Sequence, residues 1–124
     1  MATIDISAEN FEDTITDNEI VLVDFWAEWC GPCRRFAPVY DKLSEQYPDV
    51  VFAKVDTDAN PELMQTFGIT GIPTLVAFRE QVMLFNQAGA LPGPQLKEIV
   101  DKVKEVDMAE VHAEVERLKA EHSH

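Results

Sequence analysis

The chain has 124 residues, 46% of them hydrophobic, and a formal net charge of −13. That length makes one domain with enough apolar material to bury a core without staples. The charge sets the chain against nucleic acid and anionic membrane, both of which would repel it, and no apolar run approaches the roughly 18 residues that a spanning helix needs.

The opening stretch ATIDI is short and β-prone, and Ser7 stands where an N-cap belongs for a helix carrying Phe11 and Ile15. Ile20 to Trp26, IVLVDFW, is a nearly continuous apolar run of strand length, the pattern of a central parallel strand covered on both faces. From Gly31 to about Gln46 the apolar positions Phe36, Val39, Tyr40 and Leu43 recur at helical spacing, with Pro38 set to kink the helix. VVFAKV is a second buried strand. In NPELMQTF, Asn60 is placed as N-cap, Pro61 as the first helical residue and Gly68 as the stop. TLVAF and VMLFN are close enough to form a hairpin, although their junction REQ lacks the glycine or asparagine that tight hairpin turns favour. After Pro94 a last helix carries Leu96, Ile99, Val100 and Val103 on one face. Strand and helix alternate first and a hairpin follows, so the class is α/β with a mixed sheet.

Two cysteines, Cys30 and Cys33, follow the apolar run directly in WCGPC. A structural zinc site needs four ligands, and no second CxxC or CxxH supplies them; His112, His122 and His124 all fall in the last 13 residues. A structural disulfide over so short a loop removes only about 2 kcal/mol of unfolded-state entropy, poor stabilisation for a domain with an ample core. Redox chemistry is the remaining reading. The start MATIDISAENFED has neither a basic segment nor an apolar one, which reads as no export signal, and with so few cysteines the expected setting is the reducing cytoplasm.

The placement of the pair suits thiolate chemistry. Cys30 falls at the N-cap or first turn of a helix, where free N–H groups and the positive end of the dipole favour a thiolate. Arg34 and Arg35 follow at once, serving either solubility or a further bias toward the thiolate. Cys33, a turn further in, should be more buried and keep its proton until a mixed disulfide needs resolving. Asp24 shares a strand face with Leu22 and Trp26, so its carboxyl points into apolar surroundings, where desolvation raises its pKa. Such a group is costly unless it exchanges protons with a neighbour such as Cys33. Lys54 is a second charge inside an apolar strand and can reach Asp24 across the adjoining strand; a structural ion pair is the plainer reading of the two.

WCGPC, with DFWA before it, Pro38, AKVDTD, GITGIPTLVAF and AGALPGPQL, in that order over about residues 2 to 105, resembles the thioredoxin family. The resemblance implies a central mixed five-stranded sheet flanked by four helices. It implies that Cys30 attacks a client disulfide and Cys33 resolves the mixed disulfide, with Asp24 as the buried proton-transfer carboxylate and Lys54 beside it. Pro73 becomes a cis-proline next to the disulfide. The client-docking surface becomes Trp29, Gly31, Pro32, Gly71, Ile72, Pro73, Gly89 and Ala90, small or apolar positions that let a substrate strand approach closely. No bound cofactor or metal is implied; the redox group is the Cys30–Cys33 disulfide itself. Electrons return from an NADPH-dependent flavoprotein, thioredoxin reductase, to a monomer that reduces disulfide-containing client proteins.

Two features depart from the family. Glu80-Gln81 occupies the hairpin turn where the family has a glycine, leaving the turn at 79–82 open. A tail, residues 107–124, extends past a thioredoxin domain of residues 1–106; it is acidic, contains the histidines, and spaces Met108, Val111, Val115 and Leu118 as an apolar helical stripe able to continue the last helix. The tail lies on its own domain or projects into solvent, associates with a partner or second copy, or binds metal through His112, His122 and His124. The rival function is a redox-silent binding module whose tail engages a partner.

Overall fold

In the computed structural model, which describes residues 2–122, the elements follow the predicted alternation. They are β1 (Thr3–Asp5), α1 (Phe11–Asp17), β2 (Ile20–Trp26), α2 (Gly31–Ser44), β3 (Val51–Asp56), α3 (Pro61–Thr66), β4 (Thr74–Arg79), β5 (Val82–Ala88), α4 (Gly93–Glu105) and α5 (Met108–His122). The strands form a five-stranded sheet in the order β1-β3-β2-β4-β5. β1, β3 and β2 are parallel, while β4 runs antiparallel to β2 and β5 antiparallel to β4.

β2 lies in the middle and obeys the period of two. Val21, Val23 and Phe25 join Phe11, Ile15, Leu63 and Phe78 in the core under α1 and α3. Ile20 and Leu22 face the other way, packing with Phe36, Tyr40, Leu96 and Val100 beneath α2 and α4. The apolar run is continuous because both faces are covered. Asp24 is in step with Leu22, so its side chain belongs to the layer beneath α2.

Helix ends show where local signals lost to competing contacts. Ser7 is not the cap of α1: Asn10 holds that position, and its Oδ1 accepts from the Ser7 backbone N–H at 2.7 Å. Asn60 and Pro61 open α3 as predicted, but the Asn60 side chain bridges Ala8 and Asp56 instead of capping its own helix. Gly68 follows α3 with φ 63°. α2 is continuous through Pro38.

The tail does not continue α4. Arg79 donates from one guanidinium nitrogen to the carbonyls of Val103, Lys104 and Val106 at 2.8–2.9 Å, satisfying the end of α4. Val106 is extended, and Asp107 Oδ1 then accepts from the N–H groups of Ala109 and Glu110, capping a new helix. α5 is anchored by buried Met108 and by His112, whose Nε2 lies 2.9 Å from Glu80 Oε1, while Leu118 is exposed. His124 lies outside the described residues.

The hairpin turn is tight after all. β4 and β5 are joined by Glu80 and Gln81 alone, at φ 49° and 70°, the two left-handed residues of a type I′ turn. Glu80 is held there by its N–H donating to the Glu19 carbonyl at 2.7 Å and by its carboxylate lying between Arg79 and His112. Gln81 lacks such an anchor and carries the steric cost of a Cβ in that region. Gln81→Gly should therefore raise stability by about 0.5–1 kcal/mol, read as a higher urea midpoint at unchanged m-value.

Candidate active site

The site forms where β2 gives way to α2. Cys30 is the N-cap of α2, and its Sγ accepts from the Cys33 backbone N–H at 3.2 Å. The Arg34 N–H donates to the Cys30 carbonyl, and Pro32 occupies the first turn, where a missing N–H costs nothing. Cys30 and Cys33 are joined as a disulfide. Both are buried, so the predicted difference in depth is small; what separates them is which side each faces.

Cys33 lines a cavity of about 480 Å³ together with Asp24, Trp26, Arg34, Ala37 and Lys54. Asp24 is 1% exposed, and neither carboxylate oxygen has a hydrogen-bond partner among the described residues. Lys54 is its register neighbour on β3, but no ion pair joins them among the described residues; the ammonium lies over the Trp26 ring, 5.0 Å from its centroid. Burial raises the Asp24 pKa from 3.8 to about 7, with Lys54 holding it down and Asp41 adding to the rise. Tyr40 is pushed well above 10 by its own burial and by Asp24, and its hydroxyl donates to the Ala53 carbonyl at 2.8 Å. The cavity therefore holds one carboxyl poised to titrate near neutrality, and the buried Tyr40 phenol outside it stays neutral.

Cys30 faces the opposite side. Its Sγ lies 3.7 Å from the Ile72 carbonyl oxygen, and the Ile72–Pro73 peptide is cis. Gly89 adjoins Pro73 through an N–H bond to its carbonyl at 2.8 Å, with φ 116°, a conformation that suits glycine. Gly71 accepts from the Thr74 hydroxyl and shares a shallow groove with Ile72, Met64, Asp58 and Trp29. Trp29 is 66% exposed, yet its indole N–H is tied to Asp58 Oδ2 at 3.0 Å. Pro32 and Ala90 are exposed, and Gly31 is half-buried. The fold thus gathers segments from three parts of the chain around Cys30, with Ala90 present only as the exposed neighbour of Gly89. Asp58 and Met64 were not foreseeable as parts of this groove. The acidic run after β3 was the available signal for Asp58, but nothing local says that a carboxylate there reaches Trp29.

The thioredoxin family model matches residues 2–105. The chain belongs to the thioredoxin family. A putative thioredoxin 2 of Streptomyces coelicolor is 53% identical over 120 residues, covering 97% of this chain and 90% of that protein. A thioredoxin of Synechocystis is 43% identical over 103 residues, 82% of this chain and 96% of its own. Among solved structures, a mutant thioredoxin from Halobacterium salinarum superposes with TM-score 0.77 at 35% identity over 84% of this chain and 91% of that one. Plasmodium falciparum thioredoxin gives 0.75 at 39% identity over 81% and 97%. The Streptomyces alignment reaches into α5, since it leaves out only about 3% of this chain. Membership of the family, with a disulfide across a CGPC segment, makes the chain a thiol-disulfide oxidoreductase.

The perturbed carboxyl has a consequence for stability. Its folded pKa of about 7 lies above the unfolded value of 3.8, so the native state binds the extra proton between them. The fold is then unpenalised below about pH 4 and loses stability as pH rises through 7, by on the order of 4 kcal/mol at about 1.4 kcal/mol per pH unit. Asp24→Asn should stabilise the protein by about 2–4 kcal/mol at pH 8 and progressively less toward pH 4; a denaturation series across that range reads the gain directly.

Proposed function

We propose that this protein is a cytoplasmic reductase of disulfides in client proteins. The observation that carries the reading is a disulfide at a helix N-cap with one sulfur against the Ile72 carbonyl beside the cis-proline and the other lining a cavity with a buried carboxyl. In the reduced protein Cys30 attacks a client sulfur as thiolate, forming a mixed disulfide and expelling one client thiolate. Asp24 takes the Cys33 proton. The Cys33 thiolate attacks Cys30 Sγ, expels the second client thiolate and leaves the Cys30–Cys33 disulfide, so two electrons pass to the client. Lys54 tunes Asp24 through space. Trp29, Gly31, Pro32, Gly71, Ile72, Pro73, Gly89 and Ala90 form the docking surface, where exposed backbone beside the cis-proline suits an extended client segment.

No cofactor is bound in this scheme, and an NADPH-dependent flavoprotein reductase restores the dithiol. The redox work belongs to a domain of residues 1–106 acting as a monomer, with residues 107–124 an accessory extension. Support for that division is the anchoring of α5, with Met108 buried and His112 set against Glu80 of the hairpin turn, remote in sequence from the cysteines.

Cys30→Ser should abolish reduction of a test disulfide, while Cys33→Ser should accumulate a mixed disulfide with the client, seen by mass spectrometry. Release of the client should quicken as pH rises through about 7 in the wild type and lose that inflection in Asp24→Asn; an unchanged profile would remove Asp24 from the proton path. A chain ending at Val106 should keep full reductase activity and the solution mass of one chain. A drop in activity, or a wild-type mass of two chains that falls to one, would give the extension a working role.

A further inference from the structure

The basic side chains of this acidic protein are distributed unevenly between paired and unpaired. Of the ten lysines and arginines, Arg79, Lys97, Lys102, Lys104, Arg117 and Lys119 each form an ion pair with a carboxylate. The others, Arg34, Arg35, Lys42 and Lys54, have no carboxylate partner within 4 Å among the described residues, although the chain has 23 acidic residues to supply one. Arg34 and Lys54 belong to the cavity behind Cys33. Arg35 and Lys42 do not, and they share one face of α2 with Val39, at positions i, i+4 and i+7.

That face leads somewhere. Arg35 folds back over the start of α2, its Nη1 3.8 Å from where a Cβ on Gly31 would stand. Further along, Val39, Lys42 and Leu43 of α2 and Gly93, Pro94 and Lys97 of α4 line an apolar groove of about 430 Å³. Gly93 faces Val39 across the groove: a Cβ on Gly93 would stand 3.8 Å from Val39, in ordinary contact. Lys42, in the last turn of α2, complements the helix dipole. The dipole gives no reason for Arg35, which sits at the end where cations are disfavoured. Lys97 is already engaged by Asp101 and the Tyr47 hydroxyl, so the free charge on the band is that of Arg35 and Lys42.

We propose that the α2–α4 face is a second client contact, which takes an acidic segment carrying an apolar side chain. The inference rests on the reductase reading and deepens it by naming a client class. An overall charge of −13 repels acidic chains, so a locally unpaired basic band beside the reactive sulfur admits them in one register only. Lys42 lies 12 positions beyond Cys30, about 18 Å along a helix rising 1.5 Å per residue, which about five or six residues of extended client span. The apolar client residue falls between, over Val39 and Gly93, and its acidic residues fall over Arg35 and Lys42.

The test uses three disulfide-linked peptides of one sequence, differing only in whether the fifth and sixth residues on each side of the cysteine are Glu, Gln or Lys. The full-length protein should reduce the Glu peptide about fivefold faster (as kcat/KM) than the Lys peptide at low salt, the discrimination that exposed charge pairs supply, and the ratio should fall toward one at high salt. Lys42→Glu should bring the ratio to one or invert it, whereas Lys102→Glu, the same charge change on the far side of α4, should leave it as in the wild type. Equal rates on the Glu and Lys peptides, or a preference that survives Lys42→Glu, would overturn the proposal. A preference lost equally in both variants would assign it to net charge and also overturn it. If Lys42→Glu changes the mass in solution from two chains to one, the groove belongs to a second copy instead. Failure to reduce the Gln peptide at all would strike the reductase reading itself, a separate outcome.

Discussion

Everything in this site depends on β2 being hydrogen-bonded on both edges and buried on both faces. Its pairing with β3 and β4 fixes the strand, and Val21, Leu22, Val23 and Phe25 are fully sealed from solvent. A strand so constrained ends at a defined point, and the turn after Trp26 delivers Cys30 to the N-cap of α2. The same constraint is what makes Asp24 costly. The backbone cannot rotate the carboxyl out to water without moving the whole apolar set to the wrong face.

At Asp24 the loss of water outweighs the attraction of Lys54, and the competition between the two sets the balance. A closed ion pair would lower the carboxyl and silence it near neutrality. Here the ammonium sits over Trp26 and acts only through space, so the carboxyl titrates at about 7. The group costs fold stability at alkaline pH and leaves a titratable carboxyl in the cavity that Cys33 lines. The disulfide then divides two environments, one holding a buried titratable carboxyl, the other built from the backbone of Ile72 and Pro73.

At the other end of β2, where Ile20 pairs with Arg79, Arg79 organises the end of α4 and the hairpin turn. Its guanidinium ends α4 by binding three carbonyls, and it holds Glu80 in the turn that contacts α5. The extension is thereby attached to the hairpin through His112 and Glu80. The acidic surface and the unpaired cations of α2 divide the exterior in a similar way, into a repulsive background and a basic path leading to Cys30.

The order of elements, the span of β2, the two cysteines with Asp24 and Lys54, and the apolar face of α4 were legible in the sequence, because periodicity and burial are written locally. The glycines and Pro73 drew their roles only from resemblance, since nothing local places residues 71–73 and 89 against Cys30. What the chain could not disclose was decided by contacts between distant segments. Asn10 displaced Ser7 as the cap, the carbonyl of Glu19 and the side chain of Arg79 held a tight turn without glycine, and Asp107 started a second helix where the apolar stripe suggested one continuous helix. The sequence by itself determined which residues would be buried and which cysteines would stand at the start of α2. The tertiary structure alone decided which way each sulfur faces and how far Lys54 stands from Asp24, because those depend on side chains that meet across strands and not on the pattern along one.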